Sequence, residues 1–192
     1  ETDDATGTVG DVTDGSTRTV ADVTDDGPRV GDFDFPPLLT GDETFIVRVR
    51  ETLGHDPRAF TQGLEFVNGS LYESRGQYGE SAFTQIDPVT GQIRKVQLLS
   101  DEFYAEGVTI VGSRAIQLTW REEVALVYDL ASLDVVQEFA YQGEGWGLCF
   151  DGASLWMSNG TDQLIQRNPN TFESITTVNV TLDGRAVHNL NE

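Results

Sequence analysis

A dipeptide ending in glycine recurs along this chain at nearly constant spacing: Gln62-Gly63, Glu106-Gly107 and Trp146-Gly147, with glycines 44 and 40 residues apart. Each opens a short apolar run, then a tight turn at Asn68-Gly69, Gly112-Ser113 or Asp151-Gly152, then a second run. Asn-Gly and Asp-Gly between apolar runs signal hairpins, because both tolerate the positive φ of a tight turn. A second turn follows in each unit, starting at Asp87, Asp129 and Asn168, 42 and 39 residues apart. Four short strands in every 40–45 residues is the arithmetic of a β-propeller blade. No segment carries a helical period, and 20 glycines with a hydrophobic fraction of 38% suit many turns and short strands. An antiparallel sandwich would also have short strands, but its strands do not repeat one motif in one register.

In a propeller the innermost strand of each blade borders the central axis, so equivalent positions face one another. The residues before the repeat glycines are Gln62, Glu106 and Trp146, and one further period of 45 residues reaches Glu192, preceded by Asn191. A core has no need of such a set at one register, whereas a polar pocket with an aromatic wall does. Glu106 alone among these four exchanges a proton near neutral pH. Desolvation by Tyr104 and Trp146 would raise its pKa and suit it to act as both base and acid. A channel glutamate satisfied by backbone amides is an equally open reading.

Other residues point less sharply. Cys149, the single cysteine, excludes an intrachain disulfide and reads as a small buried residue between Leu148 and Phe150. His55 and His188 are too isolated to suggest a metal site, and no metal or other cofactor is expected. Glu144, just before Gly145-Trp146, reads first as a solvated loop residue and otherwise as a support behind the pocket, Trp156 as packing between blades, and Trp120, beside Arg121 and Glu122, as either buried or facing a pocket.

The net charge is −20, and residues 1–44 supply −10 of it. Such a surface repels phosphate backbones and anionic headgroups, so nucleic acid and membrane surfaces are poor partners. No stretch has the length and apolarity of a transmembrane helix. Residues 1–43, rich in Asp, Thr and Gly, cannot bury enough surface to offset chain entropy and read as a flexible acidic linker. Residues 45–50 alternate apolar and polar as a half-buried strand does, and residues 44–192 form the expected propeller domain. A start at Glu1 and a stop at Leu190-Asn191-Glu192, read as mid-strand, suggest a processed or partial product of about three blades plus the start of a fourth.

The stretches His55-Asp-Pro-Arg-Ala-Phe-Thr-Gln-Gly-Leu64, Leu71-Tyr-Glu-Ser-Arg-Gly-Gln-Tyr-Gly79, Tyr104-Ala-Glu-Gly107, Gln117-Leu-Thr-Trp120, Gly143-Glu-Gly-Trp-Gly-Leu148 and Leu190-Asn-Glu192 come in one order across residues 45–192. In these motifs the chain resembles the plant- and bacterial-type glutaminyl-peptide cyclotransferases. The resemblance implies an all-β, five-bladed propeller that turns the N-terminal glutamine of peptides or proteins into pyroglutamate, releasing ammonia. It implies Glu106 as the catalytic glutamate and Phe60, Gln62, Tyr104, Trp120, Trp146 and Asn191 as the substrate pocket. Tyr104 stands where the family usually has Phe, and Ser158-Asn159-Gly160 departs from the usual Ser-Asp-Gly. A full-length monomer, secreted, periplasmic or attached to the cell envelope, is the matching expectation. A chain lacking the later blades is expected to be poorly stable and inactive. The alternatives are a non-catalytic propeller module binding peptides or glycans, and a metal-dependent lactonase-like propeller, which a single axial carboxylate argues against.

Overall fold

The structure is a computed structural model, and it describes Val49 and residues 52–192. The acidic segment 1–43 and the expected strand at 45–50 therefore fall outside the described residues, apart from Val49.

Among the described residues every element is a strand. β1 (Thr61–Val67), β2 (Ser70–Arg75), β3 (Ala82–Ile86) and β4 (Ile93–Leu98) form one antiparallel sheet in sequence order. β5 (Ala105–Val111), β6 (Arg114–Thr119), β7 (Val124–Asp129) and β8 (Val135–Ala140) form a second. β9 (Leu148–Phe150), β10 (Leu155–Ser158), β11 (Gln163–Arg167) and β12 (Ser174–Asn179) form a third. A short hairpin of β13 (Thr181–Leu182) and β14 (Arg185–Ala186) follows, which the repeat did not foretell. Residues 187–192 are not a strand, although Leu190–Glu192 read as one.

The three sheets stand as successive blades, with β1 against β5 and β5 against β9. Period-two alternation divides the middle blade between its neighbours. Ala115, Leu126 and Tyr128 pack with Tyr72 and Phe83 of the first blade, while Ile116, Leu118, Ala125 and Val127 pack with Leu155, Met157 and Phe172 of the third. The outermost strands β4 and β12 are almost wholly exposed. Packing thus runs between blades, so a strand buried on both faces, such as β7 with Val124-Ala-Leu-Val-Tyr128, reads as near-continuous apolar sequence.

The second turn of each blade is built alike. The side-chain oxygen of Asp87, Asp129 or Asn168 accepts the amides two and three residues on, at 2.8–3.2 Å, as in Asx turns: Val89 and Thr90, Ala131 and Ser132, Asn170 and Thr171. The fourth residue after each, Gly91, Leu133 or Phe172, has φ of 69°, 67° or 62°. That conformation costs a non-glycine residue about 1–2 kcal/mol. Leu133 and Phe172 are each 1% exposed, and burying such a side chain contributes about 1.5–3 kcal/mol in the other direction.

Candidate active site

Gln62 and Glu106 are presented by the same backbone irregularity. In β1 the pairing shifts between Thr61 and Gly63, and in β5 between Ala105 and Val108, so each residue sits in a bulge of its inner strand. A bulge re-aims a side chain that regular pleating would direct into a sheet face. Trp146 holds the equivalent place just before β9, its amide donating to Ser158 O at 3.1 Å. Adjacent blades are stitched there, because Gly107 N donates to Trp146 O at 2.7 Å.

The backbone of Glu106 is fixed from the first blade. Tyr128 OH donates to Gln117 Oε1 at 2.5 Å, Gln117 Nε2 donates to Ser74 Oγ at 2.7 Å, and Ser74 Oγ donates to the Glu106 carbonyl. All three side chains are buried, and each polar atom in the relay has its partner.

Glu106 itself is 6% exposed. Burial pushes its carboxyl up to about 8, against a side-chain hydrogen bond with Gln62 that favours the charged form; the negative charges of Glu192, Glu144 and Glu122 add to the rise. Among the described residues no backbone amide donates to the Glu106 carboxylate. The reading of a channel glutamate held by amides fits a different residue. Glu192 Oε2 accepts Leu148 N at 2.8 Å and Glu192 Oε1 accepts Val108 N at 3.3 Å, joining the second and third blades across the axis. Burial raises the Glu192 carboxyl to about 7.

Glu192 also packs against the repeat glycines. A Cβ on Gly63 would lie 2.9 Å from Glu192 Oε1, one on Gly107 2.5 Å from Oε2, and one on Gly147 2.7 Å from Glu192 N. Backbone closes the same space: Val108 N lies 2.7 Å from a Cβ on Gly63, and Trp146 O and Leu148 N lie 2.6 and 2.7 Å from one on Gly107, so a side chain at these positions has nowhere to go. Asn191 lines the same cleft with Gly147, Ser158 and Glu192.

An aromatic wall stands beside Glu106. Tyr104 meets Trp120 edge-on at 5.6 Å and Tyr78 edge-on at 5.2 Å. The Tyr104 hydroxyl is raised, first by burial and then by the Glu106 charge. A Cβ on Gly76 would lie 2.6 Å from the Tyr104 ring and 2.9 Å from Gln62 Cγ, so the Arg75-Gly76 motif brings these two side chains together. Trp120 and Trp146 are joined through Glu144, whose Oε2 accepts both indole N–H groups, at 2.9 and 3.0 Å. Glu144 is therefore no free loop glutamate.

Gln62, Glu106, Tyr104, Trp120 and Trp146 thus form one connected group. Phe60 is 48% exposed and lines a cleft with Asp56, Arg75 and Gly76. Among the described residues no hydrogen bond or ring contact joins the side chain of Phe60 or Asn191 to Glu106. The segment carrying Phe60 and leading into Gln62 of β1 is anchored by Glu73, fully buried, whose carboxylate takes Arg75 Nε at 2.8 Å, His55 Nε2 at 2.8 Å and Thr61 Oγ1 at 2.5 Å. His55 is thereby a loop residue with a structural partner.

One expectation fails. Cys149 is exposed, because in β9 it alternates with buried Leu148 and lines the cleft. Trp156 lies half-buried on the face of β10 opposite Leu155 and Met157, with Nε1 donating to Asp151 at 2.8 Å. Sequence reasoning missed Tyr78 and Glu192 as parts of the site and gave Glu144 a supporting place only as its second reading. The signal for Glu192 was in hand, since the extended period ends on it.

Residues 34–192 match the family described as glutamine cyclotransferase. A glutaminyl-peptide cyclotransferase of Arabidopsis thaliana is 38% identical over 140 residues, covering 72% of this chain and 44% of the relative. The crystal structure of Myxococcus xanthus glutaminyl cyclase superposes with a TM-score of 0.66 at 32% identity, covering 71% of this chain and 57% of that one. The Neurospora crassa Pan2 WD40 domain, at 13% identity and a TM-score of 0.53 over 62% of this chain and 36% of that one, shares the propeller fold alone. The chain spans less than half the length of the curated relative it matches.

Proposed function

Because this chain belongs to the glutamine cyclotransferase family, we propose that the whole protein converts the N-terminal glutamine of peptides or proteins to pyroglutamate, with Glu106 carrying the proton. The carrying observation is a nearly buried carboxyl, raised to about 8, beside Gln62 and an aromatic wall. A group half-ionised near that pH accepts and returns a proton with little penalty either way.

In this reading the free α-amine attacks its own side-chain carbonyl carbon, forming the ring C–N bond. The Glu106 carboxylate takes the amine proton and returns it to the departing amide nitrogen as the old C–N bond breaks and ammonia leaves. Both reacting groups belong to one residue, so holding them in near-attack geometry contributes up to about 7–11 kcal/mol. Tyr104, Trp120 and Trp146 grip the substrate side chain and exclude water; Gln62 and Asn191 hydrogen-bond its amide, and Phe60 closes the pocket rim. No cofactor takes part in this scheme. Completion of the ring to five blades, a monomeric whole protein and a secreted or cell-envelope location, with residues 1–43 as an acidic linker ahead of the propeller domain, belong to the same proposal.

The test is mass spectrometry of a Gln-initiated peptide incubated with the complete protein. Loss of one ammonia, absent when the peptide is N-acetylated, supports the reading. Peptide binding without a mass change would make the protein a binding module.

A further inference from the structure

Trp120 and Trp146 come from different blades, one just after β6 and the other just before β9. An indole has a single N–H donor, and both indoles aim it at the same atom, Glu144 Oε2, at 2.9 and 3.0 Å. The other oxygen accepts Arg121 Nε at 3.0 Å, and the Arg121 guanidinium lies over the Trp120 ring, 3.6 Å from its centre. One face of Trp120 is therefore covered, its edge meets Tyr104, and its N–H is tied. Trp146 is tied by the same atom and backed by Gly160, where a Cβ would lie 2.6 Å from the indole. Blade packing fixes where these two backbones stand, and among the described residues the shared oxygen is the hydrogen-bond partner that ties the two rings to each other.

We propose that Glu144 is a positioning residue for the substrate pocket: its one oxygen sets the spacing and tilt of the two tryptophan walls across the blade boundary. This builds on the cyclisation reading above. Glu144 lies in a loop with its side chain 37% exposed, so its loss leaves the inter-blade core intact. The indole N–H groups hold its carboxyl below the usual range, which keeps it a charged acceptor at neutral pH.

The experiment compares Glu144→Ala and Glu144→Gln in the complete protein, reading kcat and KM for a Gln-initiated peptide and acrylamide quenching of tryptophan fluorescence. With the walls untied, Glu144→Ala raises KM about tenfold, leaves kcat within about threefold and makes the tryptophans more quenchable. Glu144→Gln keeps an acceptor oxygen without the charge and restores both readouts to within about threefold of wild type. A Glu144→Ala KM and quenching constant within twofold of wild type overturn the proposal. So does a Glu144→Gln variant as impaired as Glu144→Ala, because then charge, and not the shared hydrogen bond, is what the pocket needs. If the wild type fails to cyclise any peptide, the functional reading falls, while quenching of the two variants still decides the role of Glu144.

Discussion

Replacing Glu106 by Gln exchanges a buried acid for a neutral group of the same shape, and the consequence for stability depends on pH. In the unfolded chain the carboxyl titrates near 4.5, and in the folded chain near 8. Below the lower value both states hold the proton and the group is neutral with respect to folding. Between the two values the unfolded state ionises freely while the folded state must keep its proton, so wild-type stability falls as pH rises through about 8. At about 1.4 kcal/mol per pH unit, the full loss from this group is about 5 kcal/mol. Glu106→Gln removes that loss. The variant should match wild type within about 1 kcal/mol at about pH 5 and exceed it by about 5 kcal/mol at about pH 9. Urea unfolding of both proteins at the two pH values measures the difference, and the remaining carboxyls, Glu192 included, cancel in the comparison to first order. Unfolding free energies that run parallel between these pH values would refute the desolvation argument, and with it the physical basis for proton exchange at Glu106. A site that costs stability when charged is the expected signature of a functional carboxyl.

Further outcomes follow from the same packing. Gly107→Ala places a Cβ 2.6 Å from Trp146 O and 2.7 Å from Leu148 N, backbone atoms that cannot step aside, and should destabilise the protein by about 2–3 kcal/mol in urea unfolding. Glu73→Ala strands the buried end of Arg75 and releases His55 and Thr61, costing about 3–5 kcal/mol by the same measurement. By contrast, Arg94→Ala, which breaks the exposed pair with Asp87, should cost under about 1 kcal/mol.

The blade architecture was legible because a propeller repeats its turns, and turn chemistry is written in short strings such as Asn68-Gly69 and Asp151-Gly152. The connected group of Gln62, Glu106 and Trp146 was legible for the same reason: equal register means equal place around an axis. What was hidden depends on partners distant in sequence or on strand parity. Glu144 read first as solvated because its own loop shows only one of its two indole donors, Trp146; the other, Trp120, stands on the preceding blade. Cys149 was judged by its apolar neighbours, but alternation sends neighbours of a buried strand residue to the other face. The bulges that turn Gln62 and Glu106 toward the site leave no local mark beyond the glycine that follows each. The reason for that glycine appeared only with the next blade's backbone and the Glu192 side chain packed against it.

Turnover of a Gln-initiated peptide by Glu106→Gln in the complete protein tests the central claim most directly. The account predicts ammonia release slowed by about 10²-fold or more, with peptide affinity retained; release within a few-fold of wild type would contradict it.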